Sequence, residues 1–331
     1  MVQDVAPDGR WLATRLDYRY AAMVHVSDQA PSSSAGRPED RNRSRGAGPT
    51  EDRDLSWLNT SHARALSRDG RTLLFAETAL GNNYAVCLRN TDRSLAASPV
   101  VRLGEGWPAD LSPDGKLVLA VVQSHRPQLV IYPTGAGATR QLPRGNIENY
   151  VTAQWFRDIK NVLISGNEPG KITRFYMQHI DVPEIGSRDG AAGDAARPVT
   201  PEGTSDGMLS PDDRLILARG VDGKYSLYPV AGGEPRPVPA VTPSDTIARW
   251  SADGRSVLVY RRAEIPCHLE RVDLASGRRT LFKEFAPADR TGLLSLREVF
   301  VTDDLRSYAY TAYYQVSSLF LSEAGITATH P

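Results

Sequence analysis

The chain has 331 residues, 40% hydrophobic and 24% charged, which is enough for one large or two modest globular domains. Lys+Arg and Asp+Glu both number 39 and no long basic run stands out, so the phosphate-neutralising contacts of nucleic-acid binding are not expected. No apolar stretch approaches the roughly 20 residues that span a bilayer, and "MVQDVAPDGRWL" lacks the basic start and apolar middle of a secretory signal, so the chain as written is expected in the cytoplasm without a membrane span.

In chain order, the first predicted element is a hairpin turn, "APDGRWLA", centred on Asp8. Relatives of it follow at "SRDGRTLL" (Asp69), "SPDGKLVL" (Asp114), "FRDIKNVL" (Asp158), "SPDDRLIL" (Asp212), "SADGRSVL" (Asp253) and "TDDLRSYA" (Asp304). Three residues before each aspartate stands an apolar side chain, as in Leu111, Trp155 and Trp250. Five before it the residue is usually small, as in Ala109, Ala153, Gly207 and Ala248. A period of two places both on one face of a short inner strand, where small residues fit converging strands. Asp-Gly supplies the positive φ of a tight turn, and the carboxylate accepts hydrogen bonds from the turn's own amides. Ile159, Asp213 and Leu305 replace the glycine in three copies, so those turns are expected to have another geometry.

After each turn comes an apolar run such as "LVLAVV", then a third strand: "AAMVHV", "NYAVCLRN", "QLVIYP", "RFYMQHID", "YSLYPV", "CHLERVDL" and "SSLFLSEA". Short fourth strands such as "TRQLP" and "RRTLFKE" follow in most copies. Four antiparallel strands per unit, repeated, predict an all-β propeller; a sandwich gives no reason for one turn to recur at a fixed place in a four-strand unit. Seven units favour seven blades, with six as the alternative. The whole of 1–331 is read as one propeller domain. Segments 28–54 and 183–198, rich in Ser, Gly, Pro and Arg, are read as flexible insertions.

Candidate chemistry is sparse. Cys87 and Cys267 lie in strand-like runs without metal-ligand spacing and read as buried thiols. His25, His179 and His268 fall in third strands and read as packed or edge histidines, with no acid or thiol at ligand spacing, so no metal or cofactor is expected. No Gly-x-Ser-x-Gly elbow, His-Glu-x-x-His or phosphate-binding Gly-x-x-x-x-Gly-Lys-Ser/Thr is present.

The recurrent turn resembles the "WSPDGK" signature of TolB-like, WD-repeat-like propellers. The strings "RDLSWLNTSHARALSRDGRTLLFAE", "NNYAVCLRNTD", "VRLGEGWPADLSPDGKLVLAV" and "SYAYTAYYQVSSLFLSEAG" are similar, more specifically, to the carboxy-terminal propeller portion of bacterial serine/threonine protein kinases. Together these resemblances imply a propeller in a bacterial signalling system, kinase-associated, or in a TolB-like envelope system. The Gly-rich loop, His-Arg-Asp and Asp-Phe-Gly motifs of the kinase domain are absent from the sequence, so phosphoryl transfer is not implied.

The segments leading into the inner strands are expected to converge at one mouth of the central channel, and loops on a rigid scaffold are where binding groups concentrate. They offer Trp57, His62, Trp107, Asp110, Tyr150, Asp206 and Arg249 as candidate binding residues. The function expected is therefore non-catalytic, an interaction or sensing module for a protein partner or small ligand. The alternative is a hydrolase or lyase whose site is assembled from these loops.

Overall fold

A computed structural model describes residues 2–7, 10–27, 52–78, 83–92, 94, 98–180, 195–262 and 264–322. Among them every regular element is a strand. At the start lie β1 (Val2–Val5), β2 (Trp11–His25) and β3 (Arg53–Asp54). Four sets of four follow, each set an antiparallel meander numbered from the channel outward except at one point noted below: β4 (His62–Leu66), β5 (Thr72–Thr78), β6 (Tyr84–Asn90), β7 (Val100–Glu105); β8 (Trp107–Leu111), β9 (Leu117–Val122), β10 (Gln128–Pro133), β11 (Arg140–Gln141); β12 (Asn149–Trp155), β13 (Asn161–Asn167), β14 (Arg174–His179), β15 (Arg197–Pro198); β16 (Ser205–Leu209), β17 (Leu215–Arg219), β18 (Tyr225–Pro229), β19 (Arg236–Pro237). A fifth set of the same kind is β20 (Thr246–Trp250), β21 (Ser256–Tyr260), β22 (Cys267–Asp273) and β23 (Arg279–Phe285). The chain then ends on β24 (Leu293–Val301) and β25 (Tyr308–Ser322).

The exception is the closing sheet. Its order is β1-β2-β25-β24, with β3 also on β2, so its inner strands come from the end of the chain and its outer strands from the beginning. β2 and β25 pair without a break from Trp11↔Ser322 to His25↔Tyr308. This is why the described residues form six sheets, the alternative blade count, rather than the favoured seven. "AAMVHV" and the described part of "SSLFLSEA", residues 317–322, do not turn back as separate third strands; each continues the strand before it, and the Asp8 and Asp304 units merge into one blade. Toward the far end of this long ladder Leu16, Tyr18, Leu319, Phe320 and Leu321 are exposed.

The core is distributed between blades. Six apolar clusters are present among the described residues, and each mixes side chains of two neighbouring sheets. The alternation of β2 shows how: Ala21 and Met23 face the β20–β23 sheet, while Ala22 and Val24 face the β4–β7 sheet. Fully burying a large apolar side chain contributes roughly 1.5–3 kcal/mol, so the ring is held mainly by its blade-to-blade faces. Cys87 and Cys267 sit in these faces, free and fully buried, and burial pushes both thiols up to about 12.

The turns behave as the sequence leads one to expect, with one correction. In all six described copies the aspartate accepts a hydrogen bond from the backbone N–H two residues on: Arg71 to Asp69, Lys116 to Asp114, Lys160 to Asp158, Arg214 to Asp212, Arg255 to Asp253 and Arg306 to Asp304. In five copies a hydroxyl two residues earlier also donates to it, as Ser251 does to Asp253 at 2.6 Å, and accepts from the strand that follows. The copies lacking glycine do not differ in geometry. Ile159, Asp213 and Leu305 take φ of 58°, 62° and 60°, beside 71°, 72° and 68° for Gly70, Gly115 and Gly254. The carboxylate and backbone bonds fix the turn shape, and the side chains absorb the left-handed strain.

Asp8 lies outside the described residues, as do most of the 28–54 insertion and residues 183–194 of the 183–198 insertion. Residues 53 and 54, counted within the first insertion, are strand β3.

Candidate functional site

Every inner strand carries a register irregularity before its turn, for example between Pro108 and Asp110 and between Ile247 and Arg249. Such bulges re-aim side chains. The position four before each turn aspartate, which holds Ala65, Asp110, Gln154, Met208, Arg249 and Phe300, lines the channel wall. Where the inner strands run into their turns, this wall widens into a cavity of about 360 Å³. Its rim is built from the position one before the aspartate, including Arg68, Arg157, Ala252 and Asp303, with Asp213 beside them.

The polar groups of the wall tie one blade to the next around the whole ring. Arg64 Nε donates to Pro108 O at 2.8 Å, and Asp110 Oδ2 accepts from Trp155 N at 2.9 Å. Gln154 bridges to Gly207 O and Leu209 N, and Trp250 Nε1 donates to Met208 O. Arg249 donates to Val301 O at 2.6 Å and to the Asp303 carboxylate. The last junction is closed by Ala63 N donating to Thr311 Oγ1 at 2.9 Å.

At the other end of the channel lies a second constellation. Glu298, in a left-handed conformation at φ 54°, accepts from Thr311 Oγ1 at 2.6 Å and from Arg64, and faces His62 Nδ1 at 3.3 Å. Rings run along this end: Tyr313 stacks on Tyr20 at 4.5 Å, Tyr20 on His62 at 4.2 Å, and Trp107 meets His62 edge-on at 5.3 Å and Tyr84 at 4.4 Å. Arg64 lies over Trp107, 4.9 Å from its centroid. Tyr20 and Tyr313 pair within the closing sheet and the other contacts cross from one blade to the next, so the rings spend much of their area on each other.

The seven candidate binding residues therefore divide. Asp110 and Arg249 line the turn-side cavity. His62 and Trp107 belong to the opposite constellation. Trp57 is 46% exposed on a loop that buried Glu77 pins through Leu58 N and Thr60 N. Tyr150 is buried in the core between two blades, and its hydroxyl has no hydrogen-bond partner among the described residues. Asp206, at φ 47°, pairs with Arg219 beside a separate surface depression. The structure does not bring the seven together. The segments entering the inner strands spread across one end, whereas the enclosed space lies at the other.

Electrostatics also separate the two ends. Burial pushes the Asp110 carboxyl up to about 6 against the hydrogen bonds from Trp155 and Leu111 and the charge of Arg64. Asp213 is raised by the same cause. Burial lowers the Arg249 guanidinium, and repulsion from Arg68 and Arg157 adds to this against the pull of Asp303. Burial acts to raise Glu298 too, but the bonds and charges of His62 and Arg64 outweigh it and hold its carboxyl below the usual range.

Sequence reasoning missed the rim arginines, the Glu298–His62 pairing and the hydroxyl that braces each turn. Ser67, Ser112, Ser210, Ser251 and Thr302 recur at one fixed distance from the aspartate, a signal present in the repeat itself.

No family model matches the chain, and no curated protein matches it. Among solved structures it is similar to a putative TolB from Agrobacterium tumefaciens, with TM-score 0.57 and 16% identity over 91% of this chain and 100% of that one. TolB from Acinetobacter baumannii is similar at TM-score 0.50 and 14% identity, over 83% of this chain and 58% of that one. An oligogalacturonate lyase in complex with manganese reaches TM-score 0.47 at 13% identity, over 77% of this chain and 90% of that one. At these identities the likeness to the two TolB structures shows a shared TolB-like propeller fold and no more.

Proposed function

We propose that the chain is a non-catalytic propeller, an interaction or ligand-sensing module that receives a protein segment or small ligand at the turn-side mouth of its channel. The observation that carries this reading is how the acids there are used. Asp110 accepts two backbone N–H groups, Asp213 accepts from Arg157 N at 2.8 Å, and Asp303 holds Arg249. Each acid is a brace between blades, so the mouth offers shape and an arginine rim rather than a proton-transfer pair. The likeness of the strings around Asp69, Asp114 and Tyr308 to kinase-associated propellers supports a place in bacterial signalling.

One observation favours the hydrolase or lyase reading: His62 and Glu298 stand at 3.3 Å, as a base and its orienting acid would. Glu298 also holds Arg64 and Thr311, which suits an ionised anchor for the last blade junction better than a group that must change charge. A screen of candidate ligands by thermal stabilisation, with each stabilising compound recovered and analysed, separates the readings. The non-catalytic module returns its ligands unchanged. Turnover that disappears in His62→Asn would overturn it.

A further inference from the structure

We propose that the turn-side mouth is a receptor for an oxyanion, a carboxylate or phosphate group gripped by the guanidinium groups of Arg157 and Arg68. The inference rests on the reading that this mouth is the binding site, and adds the chemistry of what enters it.

Four arginines and three aspartates line the cavity. Arg64 is committed to Pro108 O and, on its far side, to Glu298. Arg249 is committed to Val301 O and Asp303. Both oxygens of Asp110 hold backbone N–H groups, and Asp213 Oδ2 holds the backbone N–H of Arg157 rather than its side chain. What remains is cationic. The Arg157 guanidinium has no hydrogen bond or ion pair to a described residue. Among the described residues Arg68 has one ion pair, with Asp303 at 3.9 Å, which it shares with Arg249.

The three rim cations are close enough to one another that Arg68 and Arg157 repel the charge on Arg249. An anion placed among them would relieve that repulsion. Arginine is suited to the task because its planar fork binds carboxylate and phosphate through two parallel hydrogen bonds. Beneath the rim, apolar Leu66, Met208 and Trp250 stand among polar Asp110 and Gln154, and about 360 Å³ is near the lower limit of small-ligand sites. The occupant is therefore a small group carrying its charge outermost, against the rim.

Sodium malonate and potassium phosphate, titrated into the whole chain at constant ionic strength against chloride, test this by thermal shift. The expected result is a saturable stabilisation by at least one of them. Whichever saturates assigns the carboxylate or the phosphate. Combining Arg68→Ala with Arg157→Ala should weaken the apparent Kd at least tenfold, and because both side chains are exposed the chemical-denaturation midpoint without ligand should stay unchanged. General exclusion of these anions from protein surface stabilises without saturating, and equally in both proteins. Superimposable titrations of wild type and double variant, or no saturation in wild type, would overturn the inference. If neither anion saturates while uncharged compounds from the ligand screen stabilise the wild type and fail on Ala252→Trp, the mouth remains the site and only the oxyanion is wrong. Ala252→Trp is tolerable because the equivalent turns carry Arg68 and Arg157 at the same position.

Discussion

The two ends of the channel use the same kinds of residue in opposite ways. At the end where strands enter, charge is paired and rings are packed: Glu298 meets His62, Arg64 and Thr311, and Trp107 lies against Tyr84. At the turn end Asp110 and Asp213 brace backbone, Asp303 holds Arg249, and Arg68 and Arg157 line the cavity rim. On the proposed reading the conspicuous His/acid pair is joinery, and the inconspicuous rim is where a ligand binds.

The largest expected effect strikes the joinery. Glu298→Ala leaves mostly buried Arg64 without its carboxylate at the junction that closes the ring, and should lower unfolding free energy on the order of 3 kcal/mol by chemical denaturation. Arg157→Ala at the open end should stay within about 0.5 kcal/mol of wild type. Comparable losses in the two variants would erase the distinction between the ends.

A second difference is in pH. Asp110 is raised from 3.8 to about 6 in the folded state, so the fold binds its proton more tightly than the unfolded chain does. Its effect is stabilising in acid and is lost as pH rises from about 4 through 6, by an amount on the order of 2 kcal/mol. Glu298 runs the other way: its lowered folded pKa gives stability that is present above about 4.5 and is lost as pH falls below that. Denaturation midpoints for Asp110→Asn should therefore lack the wild-type decline between pH 4 and 6 while keeping the loss in stronger acid. An unchanged decline would show that the shift is borne elsewhere.

How much of this could be read beforehand follows from what each position must do. The aspartate turns, the small position and the aromatic Trp155 and Trp250 were legible because every blade solves the same packing problem with similar residues. The wall position was not, because Ala65, Asp110, Gln154, Met208, Arg249 and Phe300 share a direction but no chemistry. Glu298 and His62 are 236 residues apart and meet only through ring closure. Blade number was ambiguous because two runs that resemble third strands continue straight in β2 and β25, which nothing in their alternation distinguishes from strands that turn back.

The smallest effect concerns the turn that lacks glycine where strain was not expected. Ile159→Gly relieves a β-branched residue at φ 58° but gives up its partial packing on the adjoining core, so stability should rise by under about 1 kcal/mol. A clear loss in thermal denaturation would mean that packing outweighs backbone strain at this turn.

The most direct test of the account is to ask where ligands act. Compounds that stabilise the wild-type protein should be measured by thermal shift against Ala252→Trp, which fills the turn-side mouth, and against Trp57→Ala at the strand-entry end. The account predicts that stabilisation is abolished by Ala252→Trp and preserved in Trp57→Ala. The reverse pattern would contradict it and move the functional site to the aromatic end of the channel.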